Sequence, residues 1–346
     1  MSTQFATDEE IARWSELLVQ NPDGGNVFQM QELGETKRRG GWKPLYVRTE
    51  SLSMLILQKT VPLLGAFWYI PKGPGVASYD ELPLDELRQF ARNHGVFAIT
   101  IEPELGDSSE NRGALQEAEL VKTRAIQPNA STVIIDLDKP LDQILADLPQ
   151  KGRNALRRAE REGVTVERVE LTDKTARQMY ELLTETAQGR FEASVRNYEY
   201  YREFWQRYVD SGRGALFFAT YQGRLVAGAF VLTLGQKGLY KDGASVRDKV
   251  VYGASHLVQW RIIEWMHEQG VTSYDLCGSP PTSRVDDKNH FQYGTGVFKR
   301  SFNKTTTDYV GAYDIVVNPT KYKLWKKFAE RAVRSLYYRR HKQDWY

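Results

Sequence analysis

The stretch GALFFATYQGRLVAGAFVLTLGQKGLYKDGAS, residues 214–245, holds three apolar runs rich in β-branched and aromatic residues. Gln222-Gly223 separates the first two, and Gln236-Lys237-Gly238 the last two. Short apolar runs between glycine-bearing turns predict a three-stranded meander. After it, VVYGASHLVQWRIIEWMHEQG (250–270) sets Leu257, Trp260, Ile263 and Trp265 at near-helical spacing, and VTSYDLCGS (271–279) reads as a further strand.

Meander, glycine-containing helix start and strand, in that order, make the core of an N-acetyltransferase-like fold. Where such folds bind CoA, an Arg/Gln-x-x-Gly-x-Gly/Ala run opens the helix and its N–H groups hold the pyrophosphate. Gly253, followed by Ala254, fits the glycine of that run, but Val250 stands where Arg or Gln is needed, which argues against CoA. The first half of the chain follows the same grammar. Strand-like PLYVRTE, SMLILQKTVP and GAFWYIPKGP precede a helix, SYDELPLDELRQFARNHG, and a strand, VFAITIEPE. The expected class is α/β (α+β), with two tandem acetyltransferase-like (GNAT-like) domains whose mixed sheets are flanked by helices. The expected domains are 1–147, completed by the C-terminal segment 317–346, and 148–316. A length of 346 residues also favours two cores over one.

Composition removes several function classes. The formal net charge of +3 implies no global affinity for nucleic acid, although 151–161 and 326–342 are locally basic. Cys277 is the sole cysteine, so neither a disulfide nor a cysteine-based zinc site is available, and the five histidines show no paired spacing. No metal and no cofactor are expected. The acidic, amphipathic start MSTQFATDEEIARWSELL is no signal peptide, and no apolar run approaches the length of a membrane span. The expected location is cytoplasmic, and the expected state monomeric.

One stretch resists a scaffold reading. In QYGTGVFKRSFNK (292–304), two glycines lead into alternating aromatics and cations, as on a strand, with Phe298 on the face opposite Lys299.

Seven short segments in order resemble the Fem peptidyltransferases (FemXAB). They are FQMQELGETKRRGGWKP, ITIEPEL, LPQKGRNALRRAEREGVTVE, VRNYEYYREFW, LYKDGAS, SYDLCGS and GVFKRSF. The resemblance runs over most of the chain. It implies two acetyltransferase-like domains, here of the compact kind, because no paired heptad segment supplies the long coiled-coil arm of some members. It further implies an aminoacyltransferase with aminoacyl-tRNA as co-substrate. The acceptor would be the stem peptide of a peptidoglycan precursor, either UDP-MurNAc-pentapeptide or lipid II, and the product the interpeptide bridge.

Aminolysis of an activated ester asks the enzyme mainly to position the partners and stabilise developing negative charge. By the resemblance, Phe298 and Lys299 match the family's Phe-Lys pair at the reacting centre, with Lys299 as electrostatic stabiliser. Lys37, with Arg39 next, stands where the family contacts phosphate. Arg196 matches an arginine that contacts the precursor's diphosphate, and Tyr200 a tyrosine four residues on. Glu102 stands where Asp is common, in acceptor binding. Tyr240 and Asp242 are expected on one strand facing one cleft, Asp242 standing where an aromatic is frequent. Cys277 replaces a usual glycine and reads as a small buried thiol.

Arg153, Arg157 and Arg161 recur at i, i+4, i+8 and are expected to face tRNA phosphates, joined by Arg300 and Lys304. The basic C-terminal tail suits either tRNA or the inner membrane surface. Two alternatives stay open on sequence: a CoA-dependent N-acetyltransferase, and a non-catalytic member that binds precursor or tRNA.

Overall fold

The computed structural model describes residues 3–127, 130–188, 195–246, 251–341 and 344–346. It divides into two compact units, unit 1 being 1–130 with 309–346 and unit 2 being 131–308.

In unit 1 the strands are β1 (Gln4–Phe5), β2 (Lys43–Arg48), β3 (Ser53–Val61), β4 (Gly65–Ile70), β5 (Val96–Ile101) and β6 (Val121–Lys122). Its helices before unit 2 are α1 (Asp8–Ala12), α2 (Trp14–Val19), α3 (Gln31–Arg38), α4 (Leu84–Asn93) and α5 (Ser109–Glu117). Unit 2 opens with β7 (Ser131–Thr132), β8 (Ile134–Asp136), α6 (Leu141–Asp147), α7 (Gln150–Arg161) and β9 (Thr165–Val169). It continues with α8 (Asp173–Ala187), α9 (Tyr198–Asp210), β10 (Gly214–Tyr221), β11 (Arg224–Leu234) and β12 (Lys237–Ser245). Then come α10 (Ala254–Glu268), β13 (Ser273–Asp275), α11 (Tyr293–Lys299) and β14 (Thr307–Asp308). The chain returns to unit 1 with β15 (Tyr313–Val316), α12 (Pro319–Leu324) and α13 (Glu330–His341), a π-helical turn at Trp325–Ala329 joining the two helices.

Both main sheets are mixed. In unit 1 the order is β1-β2-β3-β4-β5-β15-β6, with β4 and β5 parallel and the other neighbours antiparallel. In unit 2 it is β8-β13-β12-β11-β10-β9, with only β12 and β13 parallel. Each unit thus runs meander, helix, parallel strand: β2-β3-β4, α4, β5 and β10-β11-β12, α10, β13. The parallel pair needs a crossover, and the amphipathic helices supply it, α4 burying Leu87 and Ala91, α10 burying Leu257, Ile262 and Ile263. The strand expected to close the first half, β8, instead pairs with β13 inside unit 2.

Alternating strand residues divide the unit 2 core between two faces. Phe217, Ala229 and Val231 pack with Leu257, Ile262 and Ile263 of α10 and Leu156 and Ala159 of α7. Opposite, Phe230 meets Trp205 of α9, ring centroids 5.8 Å apart. Pro149 divides α6 from α7, because proline cannot supply an interior N–H.

The strand expected at 292–304 is a helix, α11, followed by a turn. Aromatic–cation alternation over so few residues also satisfies a helical period. Gly296 and Lys299, three apart, are both buried, and Phe298 and Phe302, four apart, meet edge to face at 5.5 Å. Gly296 is small for a reason: a Cβ there would stand 2.5 Å from Pro280 Cδ.

Candidate active site

In unit 2, α11 delivers Lys299 to the end of β13. Cys277 takes a φ of 58°, turning the chain just past the strand so that two successive carbonyls point at the helix. Lys299 Nζ donates to Cys277 O at 2.6 Å and Gly278 O at 2.8 Å, and the residue is only 6% exposed. An ammonium carries three donors. Among the described residues these two carbonyls take two of them, leaving one N–H unspent. Burial pulls the lysine down to about 8, opposed by Cys277 and Asp275, so it stays mostly charged at neutral pH while sitting close to its titration point. Tyr240 stands beside it, the ammonium 5.9 Å from the ring centre.

Ser279, two residues past Cys277, is 2% exposed and its Oγ is buried with no hydrogen-bond partner among the described residues. It lies against Gly296, one turn before Lys299. Sequence reasoning missed it, since a serine before Pro280-Pro281 carries no signal of its own.

His256 was missed too. It packs between Phe298 and Phe302, at 4.9 Å and 5.5 Å, and burial together with the charge of Lys151 lowers it to about 4. Its Nε2 lies 3.0 Å from Ser301 Oγ, while that hydroxyl donates to Phe298 O at 2.5 Å. The serine proton is thereby used, so the neutral imidazole must carry its own proton on Nε2 and donate. The pair therefore holds the end of α11 in place and cannot activate a nucleophilic serine. Phe298 is half-buried at the edge of the α10 core.

Tyr240 and Asp242 do not face one cleft. Phe230 pairs with Asp242 and Val231 with Tyr240, so Lys241 is the extra residue of a β-bulge. The bulge reverses the alternation. Tyr240 packs on the α10 side beside Lys299, whereas Asp242 accepts the Trp205 indole N–H at 2.9 Å and pairs with Lys241 at 3.1 Å on the α9 side.

At the start of α9, the Arg196 guanidinium stacks on the Tyr200 ring at 4.6 Å, and the Asn197 side chain accepts the Tyr200 N–H at 3.1 Å. A cation immediately before a capped helix N-terminus is an anion-binding arrangement.

The expected arginine stripe on α7 is broken. Arg153 donates to the carbonyls of Ala146 and Leu148, closing the end of α6, while Arg157 and Arg161 are exposed. Arg153 and Lys304 nevertheless line one cavity of about 540 Å³ with Gln150, Lys139 and Phe302. Arg300 turns away, Nη2 donating to Val285 O at 2.8 Å. Cys277 is half-buried rather than buried, and Val250, of the degenerate CoA run, lies outside the described residues. Gly253 of that run has a φ of 92° and no room for a Cβ beneath the Ala155 carbonyl of α7. Its glycine is thus accounted for by backbone conformation and helix packing.

Unit 1 holds the remaining residues. Glu102, just past β5, is 4% exposed. Its Oε2 accepts the Tyr69 hydroxyl at 2.5 Å, and its Oε1 accepts the N–H groups of Ile126 at 2.6 Å and Gln127 at 3.0 Å. Burial raises its carboxyl above the usual range, against those bonds and nearby Lys72. With both oxygens engaged it is an anchor for the 126–127 turn and a poor general base. Lys37 is buried in the last turn of α3, and Arg39, at the helix end, is exposed.

The Acetyltransferase (GNAT) domain profile matches residues 150–292. A lipid II:glycine glycyltransferase of Staphylococcus aureus is 20% identical over 92% of this chain and 94% of its own length. The Staphylococcus epidermidis enzyme of the same name is 21% identical over the same shares. The crystal structure of FemX superposes with a TM-score of 0.78 at 20% identity, covering 94% of this chain and all of that one. These similarities to glycyltransferases and to FemX run over nearly the whole chain and support the resemblance to the Fem family. The relatives are named glycyltransferases, which supports an acyltransferase as the enzyme class. The fold class inferred from the segment order is that of the structure, mixed sheets flanked by helices in two units, and the GNAT profile falls within the second.

Proposed function

We propose that this protein is a Fem-type transferase, moving an amino acid from aminoacyl-tRNA to the stem peptide of a peptidoglycan precursor and so building the interpeptide bridge. The glycyltransferase relatives, named for lipid II, support lipid II as the acceptor ahead of the nucleotide-linked form. The observation that carries the reading is Lys299: a buried ammonium locked by two carbonyls with one N–H to spare. In aminolysis, the acceptor amine bonds to the ester carbonyl, the ester C–O bond breaks, and the proton lost by nitrogen ends on the departing ribose oxygen. Negative charge appears first on the carbonyl oxygen and then on the ribose oxygen. A fixed cation at low dielectric stabilises both more than it stabilises the neutral ester. Its depressed titration point also suits it to lend a proton to the ribose oxygen.

On this reading Phe298 bounds the channel of the terminal adenosine or the acceptor. Arg196 and Tyr200, at the α9 N-terminus, take the diphosphate, a role in which lysine would not replace the bidentate fork. Lys37 and Arg39 contribute further phosphate contacts, and Tyr240 shapes the floor beside Lys299. Arg157, Arg161 and Lys304 contact tRNA phosphates. The test is to incubate the protein with mixed charged tRNAs and each precursor form and to weigh the products. A mass gain of one or more aminoacyl residues is expected. No gain with any combination overturns the reading, and tight retention on immobilised CoA would replace it with acetyl transfer.

A further inference from the structure

The C-terminal helices carry a surface that the transfer reaction does not use. Their inner face is fixed to unit 1. Trp325 is buried, the Tyr322 hydroxyl donates to Asp314 at 2.8 Å, and Lys326 pairs with the same carboxylate at 3.1 Å. The Tyr337 hydroxyl donates to Gly40 O at 3.0 Å, and Arg334 pairs with Asp344 at 2.7 Å. The Lys59 ammonium sits among the rings of Trp42, Tyr337 and Trp345 at 4.5–4.8 Å, holding the end of the chain against the sheet. The outer face is thus displayed from a firm base.

That outer face is apolar along its middle. Leu324 is 48% exposed, Phe328 62% and Leu336 69%, and exposed Ala332 completes a row at four-residue intervals. Single exposed apolar side chains are ordinary, but a row of them on one helical face is a contact surface. Lys323, Lys327, Arg331 and Arg339, all exposed, flank the row. Glu330 is the one acid between 319 and 341, and it is occupied by Lys326 at 3.4 Å and the Tyr346 hydroxyl at 2.8 Å. Among the described residues, the helices' own acid is thus engaged, and the half-exposed Asp344 beside them is paired with Arg334. At the near end, Lys321 Nζ lies 3.7 Å from where a Cβ on Gly65 would stand, which brings the β3–β4 turn alongside α12. The tip of that turn is Leu63, fully exposed.

Apolar side chains flanked by cations of one sign select the partner. An RNA surface would use the cations and could stack a base on Phe328, but it would leave the aliphatic Leu63, Leu324 and Leu336 standing in water. A bilayer with anionic headgroups uses both, the apolar row entering the acyl boundary and the cations meeting headgroup phosphates. We propose that the outward face of α12–α13, with Leu63 at its edge, docks this protein on an anionic membrane surface. The proposal goes beyond the transfer reading and is tested without substrates, so failure of one leaves the other standing.

The experiment is co-sedimentation of the full chain with phosphatidylglycerol–phosphatidylcholine vesicles and with phosphatidylcholine alone. Binding to the anionic vesicles, weakened by added salt, is expected. Phe328→Ser with Leu336→Ser, and separately Lys327→Glu with Arg331→Glu, should each weaken it about tenfold or more at unchanged melting temperature. Phe328→Trp preserves apolarity, and its fluorescence should shift to the blue when anionic vesicles are added, a readout independent of any loss of fold. Absence of sedimentation together with an unshifted Trp spectrum overturns the proposal. So does loss of uncharged-tRNA binding in the charge variant, or loss of self-association in the apolar variant, if vesicles are not bound.

Discussion

The two units build the same frame and finish it with opposite charges. In each, a parallel strand follows the crossover helix, and a buried ionisable group is held just beyond that strand. Beyond β5 it is Glu102, whose two oxygens are taken by Tyr69 and two backbone N–H groups. Beyond β13 it is Lys299, which spends two donors on carbonyls and keeps a third. A buried carboxylate with both oxygens engaged fixes a turn. A buried ammonium, held rigidly with a donor to spare, is able to meet a negative charge that exists only in a transition state. The difference between anchor and catalyst thus lies in the sign of the charge and the open donor, and it can be broken experimentally.

Lys299→Met should have the largest effect, cutting turnover about a thousandfold at nearly unchanged precursor affinity, the loss expected when a transition-state contact is removed. A loss below tenfold, measured by single-turnover transfer, would put the open position elsewhere. Next, turnover should fall as pH rises through about 8, because Lys299 is charged below that value and neutral above it. Lys299→Arg, whatever its residual rate, should lack that falling limb. The same depression means that the folded protein holds this proton less tightly than the unfolded chain does. Stability measured by urea unfolding should therefore rise between pH 8 and 10 relative to Lys299→Met.

Arg196→Ala should raise the precursor's KM about tenfold with kcat within about twofold, because binding and not charge development is lost. Smallest in activity should be Glu102→Gln. An amide oxygen still accepts, but one former acceptor position now donates. Stability should fall by about 1–3 kcal/mol in thermal unfolding while turnover changes less than about threefold. Turnover as low as in Lys299→Met would erase the distinction between the units.

Much of the frame was legible because it rests on local signals. The turn at Gln222-Gly223 falls where the sequence places it, the second lies at Gly235-Gln236 because Lys237 and Gly238 already pair in β12, and apolar spacing set α10. What misled were patterns too short to fix a period. Phe298-Lys299-Arg300 alternates as a strand would, yet the contact of Gly296 with Pro280 and the Phe298–Phe302 pair belong to a helix. The bulge at Lys241 has no local mark, since it exists only in the pairing of β12 with β11. Ser279 and His256 gain meaning only from what surrounds them. Arg153 looked like its neighbours on α7 because sequence shows charge and spacing but not which carbonyls lie within reach.

The route of the chain through unit 1 bears on how the protein is made. β15 lies between β5 and β6 in the unit 1 sheet, yet it is synthesised after the whole of unit 2. On the ribosome, unit 2 can fold while unit 1 still waits for an interior strand. For that interval the edges of β5 and β6 are open to wrong partners, a hazard that grows with the delay. A chain stopped after Asp308 should keep a cooperative unit 2 and expose an unfinished sheet.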